Sequence, residues 1–187
     1  MNSTFASLGV QKEFVKSIKE LGITRPTEIQ EKTLPILLNS KTDFIGLAKT
    51  GTGKTLAFGL PIIQNIKTQN NAIQALILSP TRELVQQIKR QLFKYTKYCN
   101  KKIFVEAIYG GEKIHIQIKN IQRTTHVIVA TPGRLIDLIE RGNINLKEIT
   151  TLVLDEADEM LSMGFKQEIN RILKYTSGKR NTWLFSA

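Results

Sequence analysis

The feature that most constrains this chain is a rhythm in which short apolar runs alternate with longer amphipathic stretches. The runs are Phe44-Ile45-Gly46-Leu47, Ala75-Leu76-Ile77-Leu78, Ile103 to Tyr109, Val127-Ile128-Val129-Ala130, Leu152-Val153-Leu154 and Trp183-Leu184-Phe185. Several are rich in β-branched residues, which suits strands of a parallel sheet that are apolar on both faces. Between them, Thr81 to Tyr95 places Leu84, Ile88, Leu92 and Tyr95 at steps of three and four, one face of a helix. Gln11 to Leu21 and Thr27 to Leu38 behave alike, and Pro26-Thr27 supplies a start signal for the second. The expected fold class is therefore α/β: an open, mostly parallel central sheet with helices on both faces. Ligands of such sheets bind at the carboxyl ends of the strands.

A length of 187 residues suits one domain, here residues 1–187, with room for a substantial core. Hydrophobic residues make up 41% and charged residues 23%, and no apolar run reaches the roughly 18 residues needed to cross a bilayer. The opening Met-Asn-Ser-Thr-Phe has no basic region followed by an apolar stretch. These features favour a soluble, cytoplasmic protein with no membrane partner, and a monomer.

Lysine and arginine (27) outnumber aspartate and glutamate (16), leaving a formal charge of +11. Such a balance suits a polyanionic partner, although much of the charge could equally be solvated surface. The single cysteine, Cys99, excludes an internal disulfide and a cysteine zinc cluster. His115 and His126 match no ligand spacing and read as incidental.

The first apolar run leads into Ala48-Lys49-Thr50-Gly51-Thr52-Gly53-Lys54-Thr55 and then the helical Leu56-Ala57-Phe58. This is a P-loop, save that Ala48 stands where the pattern has its first glycine. Gly51 and Gly53 let the backbone curl so that N–H groups point at a phosphate, and the helix adds its positive end. Lys54 carries charge to the β and γ phosphates, and the Thr55 hydroxyl can coordinate Mg²⁺. Further along, Thr151-Leu152-Val153-Leu154 delivers Asp155-Glu156-Ala157-Asp158 to the edge of the sheet. One such carboxylate can hold a metal shell and its neighbour can take a proton from an attacking water. Taken alone, these acids could be a solvated strand exit.

Asp155-Glu156-Ala157-Asp158 also spells the motif of the DEAD-box RNA helicases, and the chain resembles that family from end to end. Gly22-Ile23-Thr24-Arg25-Pro26-Thr27-Glu28-Ile29-Gln30 resembles its adenine-reading Q motif, with Phe5 at the place of an upstream aromatic. Pro80-Thr81-Arg82-Glu83-Leu84, Gly110-Gly111 and Thr131-Pro132-Gly133-Arg134 resemble its three RNA-contacting motifs. Ser186-Ala187 matches the first two residues of its Ser-Ala-Thr motif. Lys49 and Val85 depart from the usual Gln and Ala, at positions without chemistry.

The resemblance implies a RecA-like P-loop domain that binds ATP with Mg²⁺ and RNA without sequence preference. On it, Gln30 pairs with the adenine edge, Phe5 stacks on the base, and Arg25 and Thr27 belong to the nucleotide site. Thr50, Gly51, Thr52, Gly53, Lys54 and Thr55 cradle the phosphates. Asp155 and Thr55 serve the metal, and Glu156 is the general base. Pro80, Thr81, Arg82, Gly110, Gly111, Thr131, Pro132, Gly133 and Arg134 contact RNA, while Asp158 and Ser186 couple the two ligands. Phe5 could instead fold onto the domain as an ordinary hydrophobe, and Arg82 and Arg134 could pair with carboxylates such as Glu83 or Asp137. The resemblance also implies a second RecA-like domain that brings an arginine finger, so this chain alone is expected to be nearly inert as an ATPase. The implied activity is ATP-driven local unwinding of RNA duplexes. An ATP-gated RNA clamp is the alternative, and a DNA helicase of the wider superfamily is a third reading.

Overall fold

The computed structural model describes residues 3–176 and 178–187. Its elements run α1 (Lys12–Glu20), α2 (Glu28–Asn39), β1 (Phe44–Leu47), α3 (Lys54–Asn65), β2 (Ala75–Leu78), α4 (Arg82–Tyr95) and β3 (Val105–Ile108). They continue with α5 (Ile114–Ile121), β4 (Val127–Ala130), α6 (Pro132–Glu140), β5 (Thr151–Asp155), α7 (Ala157–Ser162), α8 (Lys166–Lys174) and β6 (Asn181–Ser186). The strands form one sheet in the order β1-β6-β5-β2-β4-β3, and every pairing is parallel. The expectation of a mostly parallel sheet thus sharpens to a wholly parallel one.

Strand periodicity sorts the apolar residues into two cores. Ala75, Ile77, Val127, Val129, Val153, Trp183 and Phe185 point to one face, where α1, α2, α3 and α4 cover them. Leu76, Leu78, Ile128, Ala130 and Leu152 point to the other, beneath α6, α8, Met160 of α7 and Ile121 of α5. Successive side chains of a strand face opposite ways, so burial on both faces requires an unbroken apolar run. Trp183, among the largest fully buried side chains, places its indole N–H 3.2 Å from the Thr42 carbonyl.

Strand β3 is shorter than its apolar run. The Phe104 amide donates to His126 Nδ1 at 3.0 Å rather than to a strand, and the ladder begins at Val105. His126 therefore does structural work at the start of β3, and burial lowers its pKa. Burial pushes the Cys99 thiol up to about 11, which keeps it protonated and unreactive at neutral pH. No helix among the described residues is long and apolar enough to cross a membrane.

An all-parallel sheet presents all carboxyl ends along one edge. Adjacent strands β1, β6 and β5 carry the phosphate loop, Ser186 and the acidic run there. Adjacent strands β2, β4 and β3 carry Pro80-Thr81-Arg82, Thr131 to Arg134 and Gly110-Gly111.

Candidate functional site

The phosphate loop leaves β1 and enters α3 at Gly53, whose φ of 95° lies in the left-handed region. A Cβ at Gly53 would sit 2.2 Å from Gln30 Nε2, so conformation and space both demand glycine. Gln30 itself is buried, and both ends of its amide are engaged. Its Oε1 accepts from the Thr27 amide at 3.0 Å, and its Nε2 donates to the Gly53 carbonyl at 3.1 Å. The start of α2 is thereby tied to the phosphate loop. Arg25 and Thr27 stand exposed beside it, whereas Phe5 is only 3% exposed and belongs to the core with Val10 and Phe14.

Lys54 is 5% exposed and points back into the loop. Its Nζ lies 2.8 Å from the Ala48 carbonyl and 3.0 Å from Glu156 Oε2. The Thr50 hydroxyl reaches the other Glu156 oxygen at 3.3 Å. A buried ion pair of this kind holds together because both charges are matched, and removal of one partner strands the other in a poorly solvated site. Glu156 reaches this position through a φ of 51°, the one left-handed non-glycine residue among those described. Left-handed backbone costs a residue with a Cβ roughly 1–3 kcal/mol and persists where surroundings over-determine it. Here Asp155 ends β5, Ala157 begins α7, and the turn at Glu156 swings its carboxylate across to Lys54 and Thr50.

Asp155 is 4% exposed, and its Oδ1 has no hydrogen-bond partner. Burial raises its pKa to about 7, reinforced by the charge of Glu156 and opposed by that of Lys54. An orphaned carboxylate oxygen beside a phosphate loop is the kind of donor a hard divalent cation takes. No cluster of three or more His, Cys, Asp or Glu side chains that could hold a metal alone exists among the described residues. Such a cation would need phosphate and water to complete its shell. A cavity of about 320 Å³ joins these parts, lined by Gln30, Thr50 to Leu56, Asp155 and Glu156. On the far side of the acidic turn, the Ser186 hydroxyl hydrogen-bonds to Asp158 and lowers its pKa.

The other half of the edge is built on helix starts. Thr81 is the N-cap of α4, its hydroxyl accepting from the Leu84 amide at 3.3 Å. Arg82 is exposed, and its guanidinium lies 5.3 Å from the centre of the Tyr109 ring. Gly111, with φ of 84°, passes close beneath it. Thr131 is the N-cap of α6 and Pro132 its first residue, where the missing N–H costs nothing. Pro80 and Pro132 are buried, while Gly110, Gly111 and Gly133 are exposed.

Arg134 Nη1 donates to the Glu112 carbonyl at 3.0 Å and to Gln117 Oε1 at 3.3 Å. Gln117 Nε2 in turn donates to the Tyr109 carbonyl and the Glu112 carboxylate, each at 2.8 Å. The carboxylate pairings considered for Arg134 do not form: Asp137 is bonded to Arg141 at 2.6 Å. Sequence reasoning missed Gln117, a buried amide that fastens the β3–α5 loop to α6, because one glutamine in an amphipathic helix carries no signal. It also missed the left-handed turn at Glu156, which nothing in an Asp-Glu-Ala-Asp run announces.

A wholly parallel sheet with a phosphate loop and facing acidic turn defines a P-loop nucleotide-binding domain of RecA-like type. Residues 27–187 match the DEAD/DEAH box helicase family model. The chain is 48% identical over 185 residues to the DEAD-box ATP-dependent RNA helicase CshA of Geobacillus kaustophilus, covering 99% of this chain and 39% of that protein. It is 50% identical over 183 residues to the ATP-dependent RNA helicase CshA of Limosilactobacillus reuteri, covering 98% and 36%. A DEAD box protein from the hyperthermophile Methanococcus jannaschii superposes with a TM-score of 0.93 at 38% identity, over 100% of this chain and 51% of that one. The chain belongs to the DEAD/DEAH box helicase family. It spans under two fifths of the length of these two curated relatives.

Proposed function

We propose that the protein is an ATP-dependent RNA helicase of the cytoplasm, and that this chain is its N-terminal RecA-like half, binding ATP·Mg²⁺ and single-stranded RNA. The observation that carries this reading is the division of one sheet edge into a buried, charge-paired half and an exposed half built on helix starts. Chemistry on a phosphate needs desolvated, matched charges, and recognition of a nucleic-acid backbone needs reachable donors.

When ATP enters, its phosphates compete for Lys54, which now spends its charge on Glu156 and the Ala48 carbonyl. Loop amides from Thr50 to Thr55 turn toward the phosphates, and the freed Glu156 carboxylate can take a proton from the attacking water. Asp155 and Thr55 would hold Mg²⁺, which neutralises charge developing on the transferring phosphoryl group. Gln30 would exchange its contacts with Thr27 and Gly53 for the adenine edge, so base recognition releases the phosphate loop. Phe5 would have to leave the core to stack on the base, which makes it the weakest member of the nucleotide set. Thr81, Arg82, Gly110, Gly111, Thr131, Gly133 and Arg134, braced by Pro80 and Pro132, would hold the RNA backbone. Ser186 bonded to Asp158 links the acidic turn to β6 and so to the phosphate loop beside it.

The relatives extend well beyond the length of this chain, and a second RecA-like domain would bring the arginine finger, worth about 10³–10⁵ in rate. Duplex-release assays on the full-length protein test the reading. Release that requires hydrolysable ATP supports a helicase, whereas tight RNA retention without release assigns an ATP-gated clamp. Stimulation by DNA rather than RNA would point to the wider superfamily.

A further inference from the structure

We propose that single-stranded RNA does not end at the sheet-edge motifs but continues down the outer face of α4 to a second contact at Phe93. The inference rests on the RNA-binding reading above and extends it. Arg82, Gln86, Lys89 and Phe93 recur at steps of four, three and four, so they form one stripe along the helix. The stripe spans about 16 Å at the rise of an α-helix. It begins at Arg82, inside the proposed RNA interface.

The stripe runs alongside β3, the open edge of the sheet. Arg82 lies over the Tyr109 ring, Gln86 Nε2 donates to the Tyr109 hydroxyl at 2.9 Å, and Lys89 pairs with Glu106 at 2.8 Å. It ends in an open groove of about 820 Å³ shared with the residues that lead into β3. There Phe93 is 74% exposed and Phe104 is 42% exposed. Lys94 and Lys102 line the same groove and make no ion pair among the described residues.

An exposed aromatic ring costs solvation, and two unpaired lysines beside it leave positive charge uncompensated. A single strand answers both, since each base offers a face to stack and each phosphate a charge to neutralise. An acidic peptide could satisfy the lysines, but it would have no reason to start at Arg82. Continuity with the motif site favours RNA.

The test compares oligouridylates of about six and about twenty nucleotides binding to the full-length protein with a non-hydrolysable ATP analogue. Phe93→Ala is expected to weaken the longer oligomer about tenfold and leave the shorter one unchanged, with Phe93→Trp restoring the loss. Lys94→Glu combined with Lys102→Glu is expected to lower the salt dependence of the longer oligomer by about two ions. Unchanged affinity of both variants for the longer oligomer overturns the track while leaving the motif site standing. Unchanged RNA affinity together with a lost acidic peptide gives the groove to a protein and overturns it too. If the unaltered protein binds neither oligomer, the RNA-binding reading itself falls.

Discussion

The two halves of the sheet edge solve opposite problems with the same architecture. In the β1-β6-β5 half, Lys54, Asp155 and Glu156 are all buried, and Lys54 and Glu156 satisfy charge with charge. In the β2-β4-β3 half, Thr81, Arg82, Thr131 and Arg134 stand at helix starts, and the two guanidiniums are held by a backbone carbonyl, an amide and a ring rather than by carboxylates. A low-dielectric site strengthens every interaction inside it, which chemistry requires and a weakly selective grip on a polyanion does not. The difference shows in backbone strain as well: the one left-handed non-glycine residue among those described, Glu156, is in the first half.

Replacing the acidic turn's central residue should break the comparison most sharply. Glu156→Gln in the full-length protein is expected to lower ATP turnover by about 10²–10⁴ while ATP still binds, measured by steady-state hydrolysis and by nucleotide titration. Equal loss of both would remove Glu156 from the proton-transfer role. Next comes the joint between α2 and the phosphate loop. Gly53→Ala, which forces a Cβ onto Gln30, is expected to destabilise the fold by about 1–3 kcal/mol and weaken ATP at least tenfold, read by thermal melting and titration.

In the exposed half, Arg134→Ala should weaken RNA about tenfold or more and leave ATP affinity unchanged, because its hydrogen bonds go only to the β3–α5 loop and α5. A parallel loss of ATP affinity in the isolated chain would mean that the halves are not separable.

A separate effect, on the unliganded fold alone, concerns Asp155. Its folded-state pKa is raised from 3.8 to about 7, so the folded state binds the proton more tightly than the unfolded chain. Stability of the unliganded domain should therefore fall as pH rises through the window between those values, and stay low above it. Asp155→Asn should flatten that slope and raise the melting temperature at neutral pH. An unchanged slope would place the titration elsewhere.

What the sequence made legible follows from how each feature is encoded. Strands β2 and β4 coincide with their apolar runs because burial on both faces demands an uninterrupted run, and β1 coincides with its own although Ile45 and Leu47 are exposed. The start of α4 was legible because Thr81 is a capping residue. Strand β3 begins later than its run, since the His126 ring takes the Phe104 amide, a long-range contact that no local pattern records. In the site, Lys54 facing the acidic turn was legible from motif chemistry. The burial of Phe5 was one of two readings the sequence left open, while the attachment of Gln30 to Gly53 and the Gln117 fastening were not legible, because each depends on which side chain the fold brings within reach.

The central claim is that this chain holds one half of an RNA-stimulated ATPase site. The most direct test measures ATP turnover by the chain alone and by the full-length protein, each with and without single-stranded RNA. The account predicts that only the full-length protein responds to RNA. Comparable RNA-stimulated turnover by the chain alone would contradict it, since the site would then be complete without a partner domain.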